Sequence, residues 1–582
     1  MDKNTVIAIF VILGIVLAFQ FLYVRPRLQE KAAEHIEEAT ESTQVQVEEE
    51  KPETVTVIPE EQLPIPEEEP QEELVTIETK NYSVKITTEG ASITSLKLKN
   101  YLDSNGQPVD LVEYNEDDIL PFEVHFDRLR NVPFGDRTLY FVEKMSDTSY
   151  LFFRDFLDDN GKPFRLSKLY VFQNDAFIFD VQIKVNSIDG SEVFINNDNV
   201  SYTLSWGPAL GPMSVIRNRY NITTQGYHEN GKFSKVMRGA GGCSLRRAEA
   251  RYIEVSKIVD WIGVTNRYFF IGVVPDTKTY IYSFDQRTQG KFFFGISHPY
   301  FKGSQFEDTF RVYAGPKERK LLKAYGRGFE SVISGRILKP IVIFMEVMIK
   351  FFYSFTHNYG IAIILLTIMI KIILHPLTFK SFESMRRMST LQPKVNEIRE
   401  RYKSNPQQMN REVQALYRKE KINPMGGCLP LLLQLPIFYA LYTLLSGMVE
   451  LRNESFLWIK DLSLPDTVAT IKTAIPLLGY RIGNQGFTDI NVLPFIMTAT
   501  TLLQSKLTSG GQTAQQGKMM TYLFPIMFFF IFWNMPSGLV LYWTIQNILT
   551  IGQQYFIDYR LKKRKALAAK APVKTLGKRK RR

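Results

Sequence analysis

Cysteine is nearly missing from this chain: 582 residues hold two, Cys243 and Cys428, while Trp and His number only 5 and 6. Two thiols exclude a disulfide framework and a four-cysteine zinc site. No HExxH or GxSxG motif falls in an apolar run, which argues against an intramembrane protease. Neither charge sign dominates, since 71 Lys+Arg against 60 Asp+Glu leave a net +11. That net conceals an acidic segment near the start and a basic tail, so only local charge carries meaning. A mean hydropathy of −0.12 excludes a chain immersed wholly in lipid, and the apolar runs below exclude a wholly soluble one. At about one domain per 100–200 residues, the length also disfavours one compact enzyme fold.

What is present begins with an apolar run from Val6 to Val24, which ends at Arg25-Pro26-Arg27 with no small-x-small cleavage site. Residues 1–24 therefore read as an uncleaved signal-anchor span. Residues 25–74 form an acidic linker: from Glu30 to Glu73 there are sixteen Glu, two Lys and no Phe, Tyr or Trp. Such a composition cannot bury enough apolar surface to fold. Residues 75–330 alternate apolar and polar positions between Gly, Asn and Asp, as in Tyr82-Ser83-Val84-Lys85-Ile86 and Phe177–Ile183. That period of two predicts a large all-β sandwich. Its His125, His228 and His298 are scattered, and Gly239-Ala240-Gly241-Gly242 lacks the strand-then-helix setting of a phosphate loop.

The remaining residues read as helices. Lys339, Glu346 and Lys350 recur on a helical period in 331–356, which predicts an amphipathic helix lying in the interface. Spans follow at 357–376, 425–448, 490–507, 519–535 and 538–557, the third of them with an apolar run of only 14 residues, Ile490–Leu503. The 377–424 connection with Pro376 holds eleven Lys/Arg against five Glu, and the tail 558–582 holds twelve against one Asp. Both belong in the cytoplasm. The 449–489 loop and the β domain are then external and the 508–518 loop internal, giving six spans with both termini cytoplasmic. Arg25 and Arg27 oppose this locally, but a domain of hundreds of residues translocates largely regardless of flanking charge.

Lys371 is the sharpest single residue. A charge within an apolar helix costs about 2.5–3.5 kcal/mol on insertion scales and marks a site by default; snorkelling to the nearby cytosolic end is the competing reading. Its company favours a wet, cation-lined groove: Thr367 one turn earlier, Gln434 in mid-span, the stripe Thr498, Thr501 and Gln504, and Gln546 with Asn547 in the last span. In 377–424, Met385, Met388, Leu391, Val395, Ile398 and Tyr402 and then Met409, Val413, Leu416 and Tyr417 form two helical stripes about a Ser404-Asn405-Pro406 turn. These stripes pack on each other, leaving a basic surface with Arg386, Arg387, Lys394, Arg399 and Arg401. The tail carries Lys562, Lys563, Arg564 and Lys565, then Lys578, Arg579 and Lys580, suited to anionic lipid or to ribosomal RNA.

Several motifs resemble the YidC family of membrane protein insertases. They are Lys371-Ile372-Ile373-Leu374-His375-Pro376-Leu377-Thr378, Leu391-Gln392-Pro393-Lys394, Asn423-Pro424-Met425-Gly426-Gly427-Cys428-Leu429-Pro430, Gln434-Leu435-Pro436-Ile437-Phe438 and Pro536-Ser537-Gly538-Leu539-Val540-Leu541-Tyr542. The β domain, with Asp260-Trp261-Ile262-Gly263 before Arg267-Tyr268-Phe269, is similar to the family's periplasmic sandwich. Family members commonly carry Arg where this chain has Lys371 and Tyr where it has Trp543. Lys keeps the charge without the bidentate fork.

The resemblance implies a non-enzymatic insertase and chaperone of the bacterial inner membrane, with a five-helix core around a cytoplasm-open groove and no cofactor. It implies nascent membrane proteins, the ribosome, the Sec translocon (SecYEG and SecDF) and membrane lipids as partners, with no small-molecule substrate. Tyr542 and Trp543 join the groove residues on the same ground. Pro430, Pro436, Pro494 and Pro525 hint at a thinned bilayer or mark ordinary kinks. Two other classes compete. A solute transporter using Lys371 would show internal repeats, and none is found across the late spans. A sugar-active β-domain enzyme would need convergent His and carboxylate groups.

Overall fold

A computed structural model describes residues 69–570 apart from short interruptions, the longest being 212–222, 239–250, 421–428 and 509–518. The signal anchor, nearly all of the acidic linker, the Gly239–Gly242 run, Cys243, Asn423–Cys428 of the Asn423–Pro430 motif, residues 509–518 of the 508–518 loop and Lys578, Arg579 and Lys580 lie outside the described residues. Two compact units emerge, one spanning Ile58–Ser334 with Gly447–Val449, the other Gly335–Ser446 with Glu450–Arg582.

The first unit is all β. A nine-stranded antiparallel sheet runs from Lys232–Arg238 at one edge to Phe141–Ser146 at the other, beside a five-stranded sheet centred on Lys291–Gly303 and a four-stranded sheet at 74–110. The period of two explains the layers. In Ile178–Ser187, Phe179, Val181, Ile183 and Val185 are buried while Asp180, Gln182 and Lys184 are not, so one face of that strand enters the core. Rings from different sheets interlock there, with Phe122 edge-on to both Trp206 at 5.3 Å and Phe179 at 5.7 Å. Each such fully buried side chain contributes about 1.5–3 kcal/mol. One inward position is a cation: Lys168 is fully buried and donates to Ala91 O at 2.6 Å and to Phe122 O. Its charge is met by backbone carbonyls, as a buried polar group requires.

The second unit is helical. Its helices are α1 (Lys339–Thr356), α2 (Tyr359–Thr390), α3 (Gln392–Arg401), α4 (Pro406–Lys419), α5 (Leu429–Gly447), α6 (Leu493–Thr508), α7 (Phe524–Phe532) and α8 (Ser537–Lys570). Among the described residues one stretch, Tyr359–Ser384, is long and apolar enough to cross a membrane by itself, and Leu433–Gly447 and Thr521–Phe532 are shorter apolar helices. Large apolar side chains stand exposed on α2, α5, α6, α7 and α8, among them Ile372, Leu435, Phe495, Ile526 and Ile548. In water such surface would be a liability; against lipid tails it costs nothing.

Two features differ from the sequence reading. Helix α2 continues through Pro376, so the second candidate span and the start of the basic hairpin belong to one helix. The chain breaks instead around Leu391, where Pro393 falls in the first turn of α3 and its missing N–H costs no hydrogen bond. The 449–489 region also holds more than a loop, with antiparallel strands Thr467–Ile471, Tyr480–Ile482 and Gln485–Asn491. The amphipathic helix starts at Lys339, and its Lys350 pairs with Glu346 at 3.3 Å and with Glu450 at 2.7 Å.

Candidate functional site

Helix α2 carries Thr367, Lys371, His375 and Thr378, spaced by four, four and three residues, so all four lie along one face. Helix α8 answers with Gln546, Thr550 and Gln553 at spacings of four and three. The two stripes meet. Lys371 Nζ donates to Thr550 Oγ1 at 2.6 Å, and the Thr550 hydroxyl donates to Gln546 O at 2.6 Å. One turn along, Gln553 Nε2 donates to Thr378 Oγ1 at 2.9 Å and to His375 Nδ1 at 3.0 Å. The result is a polar seam between the two helices.

The seam is under-satisfied. An ammonium offers three donors, and Thr550 is the acceptor that Lys371 finds among the described residues, with no carboxylate in reach. Lys371 is only half-buried, so its remaining donors face water or an incoming acceptor. The side-chain carbonyls Gln546 Oε1 and Gln553 Oε1 are buried with no partner among the described residues. Unpaired buried polar atoms each cost free energy, and such a seam has room in its hydrogen bonding for a further acceptor at the ammonium and further donors at the two glutamine carbonyls.

Other residues named from the sequence fall around this seam at different depths. Thr501 on α6 accepts from Asn547 Nδ2 at 2.8 Å, which stitches α6 to α8. Gln504 is half-buried three residues further on. Thr367 is fully buried, and its hydroxyl donates to Ile363 O at 2.7 Å in its own helix. The buried Tyr542 hydroxyl leans towards half-buried Gln434 on α5 without completing a bond of ordinary geometry. Trp543 is packed in an aromatic cluster, 5.3 Å from the rings of Phe438 and Phe528 and 5.4 Å from that of Phe532. The Lys371 contact with Thr550 lies about 10 Å away along α8.

Sequence reasoning passed over Thr550 and Gln553 and gave no role to His375 or Thr378. The i, i+4, i+7 recurrence of Gln546, Thr550 and Gln553 was the available signal.

The basic hairpin is a separate surface. Asn405 caps α4 by accepting from Gln408 N at 3.1 Å, so the turn forms where Ser404-Asn405-Pro406 predicts it. Helices α3 and α4 pack together through buried Val395, and Lys394 lies 3.6 Å from Glu420. Lys394 and Arg401 are exposed, Arg399 is half-buried, and Arg387 pairs with Glu383 at 2.8 Å. The Arg386 side chain is outside the described residues, as are those of Lys562, Arg564 and Lys565 within α8, whereas Lys563 is exposed.

Comparison with known proteins bears on both units. The family model of the 60Kd inner membrane protein matches residues 351–565, and that of the YidC periplasmic domain matches residues 74–334. A Syntrophus aciditrophicus protein named membrane protein insertase YidC is 32% identical over 516 residues, which covers 85% of this chain and 86% of that one. The Treponema denticola protein of the same name is 31% identical over 529 residues, covering 85% and 87%. A crystal structure of an active YidC insertase with its first transmembrane domain resolved aligns at 18% identity and a TM-score of 0.33, over 84% of this chain and 93% of that one.

Proposed function

This chain belongs to the YidC family of membrane protein insertases, and we propose that its insertion of nascent inner-membrane proteins runs through the seam around Lys371. The observation that carries this is the under-satisfied ammonium: Lys371 is half-buried on an apolar helix with Thr550 as its acceptor. A polar or acidic flank of a client entering from the cytoplasm supplies the missing acceptors, and in doing so loses less solvation than it would in lipid. The adjoining apolar segment partitions into the bilayer, gaining about 25 cal/mol per Å² of apolar surface buried, and the flank follows to the far side. No covalent bond is made or broken.

The same proposal includes six spans, both termini in the cytoplasm, and a five-helix core in which α2, α5, α6, α7 and α8 enclose a groove open to the cytoplasm. The exposed cations of the α3–α4 hairpin receive client-bearing complexes, and the basic tail meets the ribosome. Work alongside the Sec translocon belongs to the same reading. Liposomes containing only this purified protein test it directly: a small client with an acidic translocated flank becomes inserted there and not in protein-free liposomes. Equal insertion in both would remove the function from the protein.

A further inference from the structure

The segment Phe456-Leu457-Trp458-Ile459 makes a two-residue hairpin, since Phe456 and Ile459 exchange both backbone hydrogen bonds at 2.9 Å. Its first tip position has a left-handed backbone, φ +53°, a place where glycine or asparagine is normal. This sequence puts leucine there, at a cost of about 1–3 kcal/mol. The strained side chain is not used for packing: Leu457 is 76% and Trp458 42% exposed, and Lys460 is exposed beside them. A strained hairpin tip that holds two adjacent large apolar side chains out of its own core suits an apolar surrounding.

The contacts of this tip indicate its depth. Asn358 donates to Ser455 O at 3.4 Å, and the Phe456 ring lies against Gly360 so closely that a Cβ there would meet it at 2.2 Å, which ties the tip to the start of α2. Ser537 N and Gly538 N at the start of α8 donate to Leu464 O and Leu462 O at 2.8 and 2.9 Å. Trp458 Nε1 donates at 3.1 Å to Asp466, whose same carboxylate oxygen accepts from Leu493 N at the start of α6 at 2.6 Å. The indole is thus held level with the first turn of α6, where Phe495 and Ile496 are 54% and 37% exposed. Trp458, Phe495 and Ile496 thus expose apolar surface at the same end of that helix.

We propose that the Phe456–Ile459 tip is an anchor in the outer leaflet, with Leu457 and Trp458 seated at the boundary between headgroups and acyl chains and Lys460 reaching the phosphates. Trp and Lys divide such a boundary in this way, ring in the interface and ammonium towards water. Bolted to the starts of α2, α6 and α8, the anchor fixes how deeply these helices sit, and with them the distance a client flank must cross. The proposal rests on the span arrangement given above.

The test is spin-label accessibility in the full-length protein, reconstituted into phosphatidylcholine vesicles after Cys243→Ser and Cys428→Ser. A label at Leu457→Cys should collide with oxygen more often than with a water-soluble nickel complex, and one at Ile372→Cys, 67% exposed on α2, should do so more strongly. A label at Lys460→Cys, expected at the shallow edge of the same zone, serves if the Leu457 variant does not fold. If Ile372 is lipid-immersed while labels at the tip collide mainly with nickel, the anchor is refuted and the spans stand. If Ile372 itself is nickel-accessible, the span arrangement fails and the anchor with it.

Discussion

Replacing Lys371 with leucine removes the ammonium from the seam and should separate clients by the charge of their flank. A client carboxylate about 4 Å from the ammonium gains about 4 kcal/mol at an effective dielectric of 20. After desolvation, a charge-assisted hydrogen bond is worth about 1.5–3 kcal/mol net. Because Thr550 is the one acceptor that the described residues set against the ammonium's three donors, little of that energy is already spent among them. Lys371→Leu should therefore slow insertion of a client with an acidic flank by about 10- to 150-fold, and leave an uncharged flank within about threefold on the same scale. Lys371→Arg keeps the charge and should keep the rate. Stability should not fall, because the substitution removes a charge that costs about 2.5–3.5 kcal/mol on insertion scales. The assay is initial insertion rate in reconstituted liposomes, scored by protease protection of matched clients differing in one flank carboxylate. Equal slowing of both clients, or none of the acidic one, would refute a role for the charge.

Three further expectations follow from other parts of the molecule. Deleting residues 384–416 should impair insertion in cells while the purified protein loses, by circular dichroism, only the helix of the deleted residues; an unaffected deletion would leave the α3–α4 hairpin with packing alone. Removing residues 566–582 should weaken co-sedimentation with empty ribosomes in detergent, and added salt should mimic the truncation through counterion release; binding unchanged at every salt concentration would assign the tail to the membrane surface. In the β domain, burial pulls the Lys168 ammonium down to about 7 from 10.5, so between those values the unfolded chain binds more protons and stability rises with pH. The slope is at most about 1.4 kcal/mol per pH unit, since the carbonyls around Lys168 favour its charged form. Lys168→Met should flatten that rise in thermal unfolding of the detergent-solubilised protein, and an unchanged slope would assign it to other groups.

The elements most legible in the sequence were those whose side chains repeat a simple period. Alternation in Phe177–Ile183 names the buried face of the Ile178–Ser187 strand, because a pleated strand gives every second residue to the core. Glu346 and Lys350 announce the turn of α1 on which they pair. Proline was less readable, because its effect depends on where it falls. Pro376 lies inside α2 without ending it, whereas Pro393 marks a true helix start, and nothing in the immediate residues separates the two. The seam was legible by halves. Lys371 stands out because charge is rare in an apolar run, but Thr550 and Gln553 are ordinary residues until α8 is laid against α2. Pairing two distant stripes requires the fold. The Leu457 tip was invisible for a related reason, since an exposed leucine in a loop has no periodicity and its meaning lies in a positive φ and in the helix ends that hold it.

The central claim is that a client's polar flank occupies the seam. The most direct measurement places a photo-crosslinking amino acid in the translocated flank of a small client, traps it part-way into liposomes containing only this protein, and maps the adducts by mass spectrometry. The account predicts adducts on the α2 and α8 stripes, at Lys371, Gln546, Thr550 and neighbouring residues, that disappear once insertion is complete. Adducts confined to the outward face of α2 around Ile372, which is 67% exposed, with none in the seam, would contradict it.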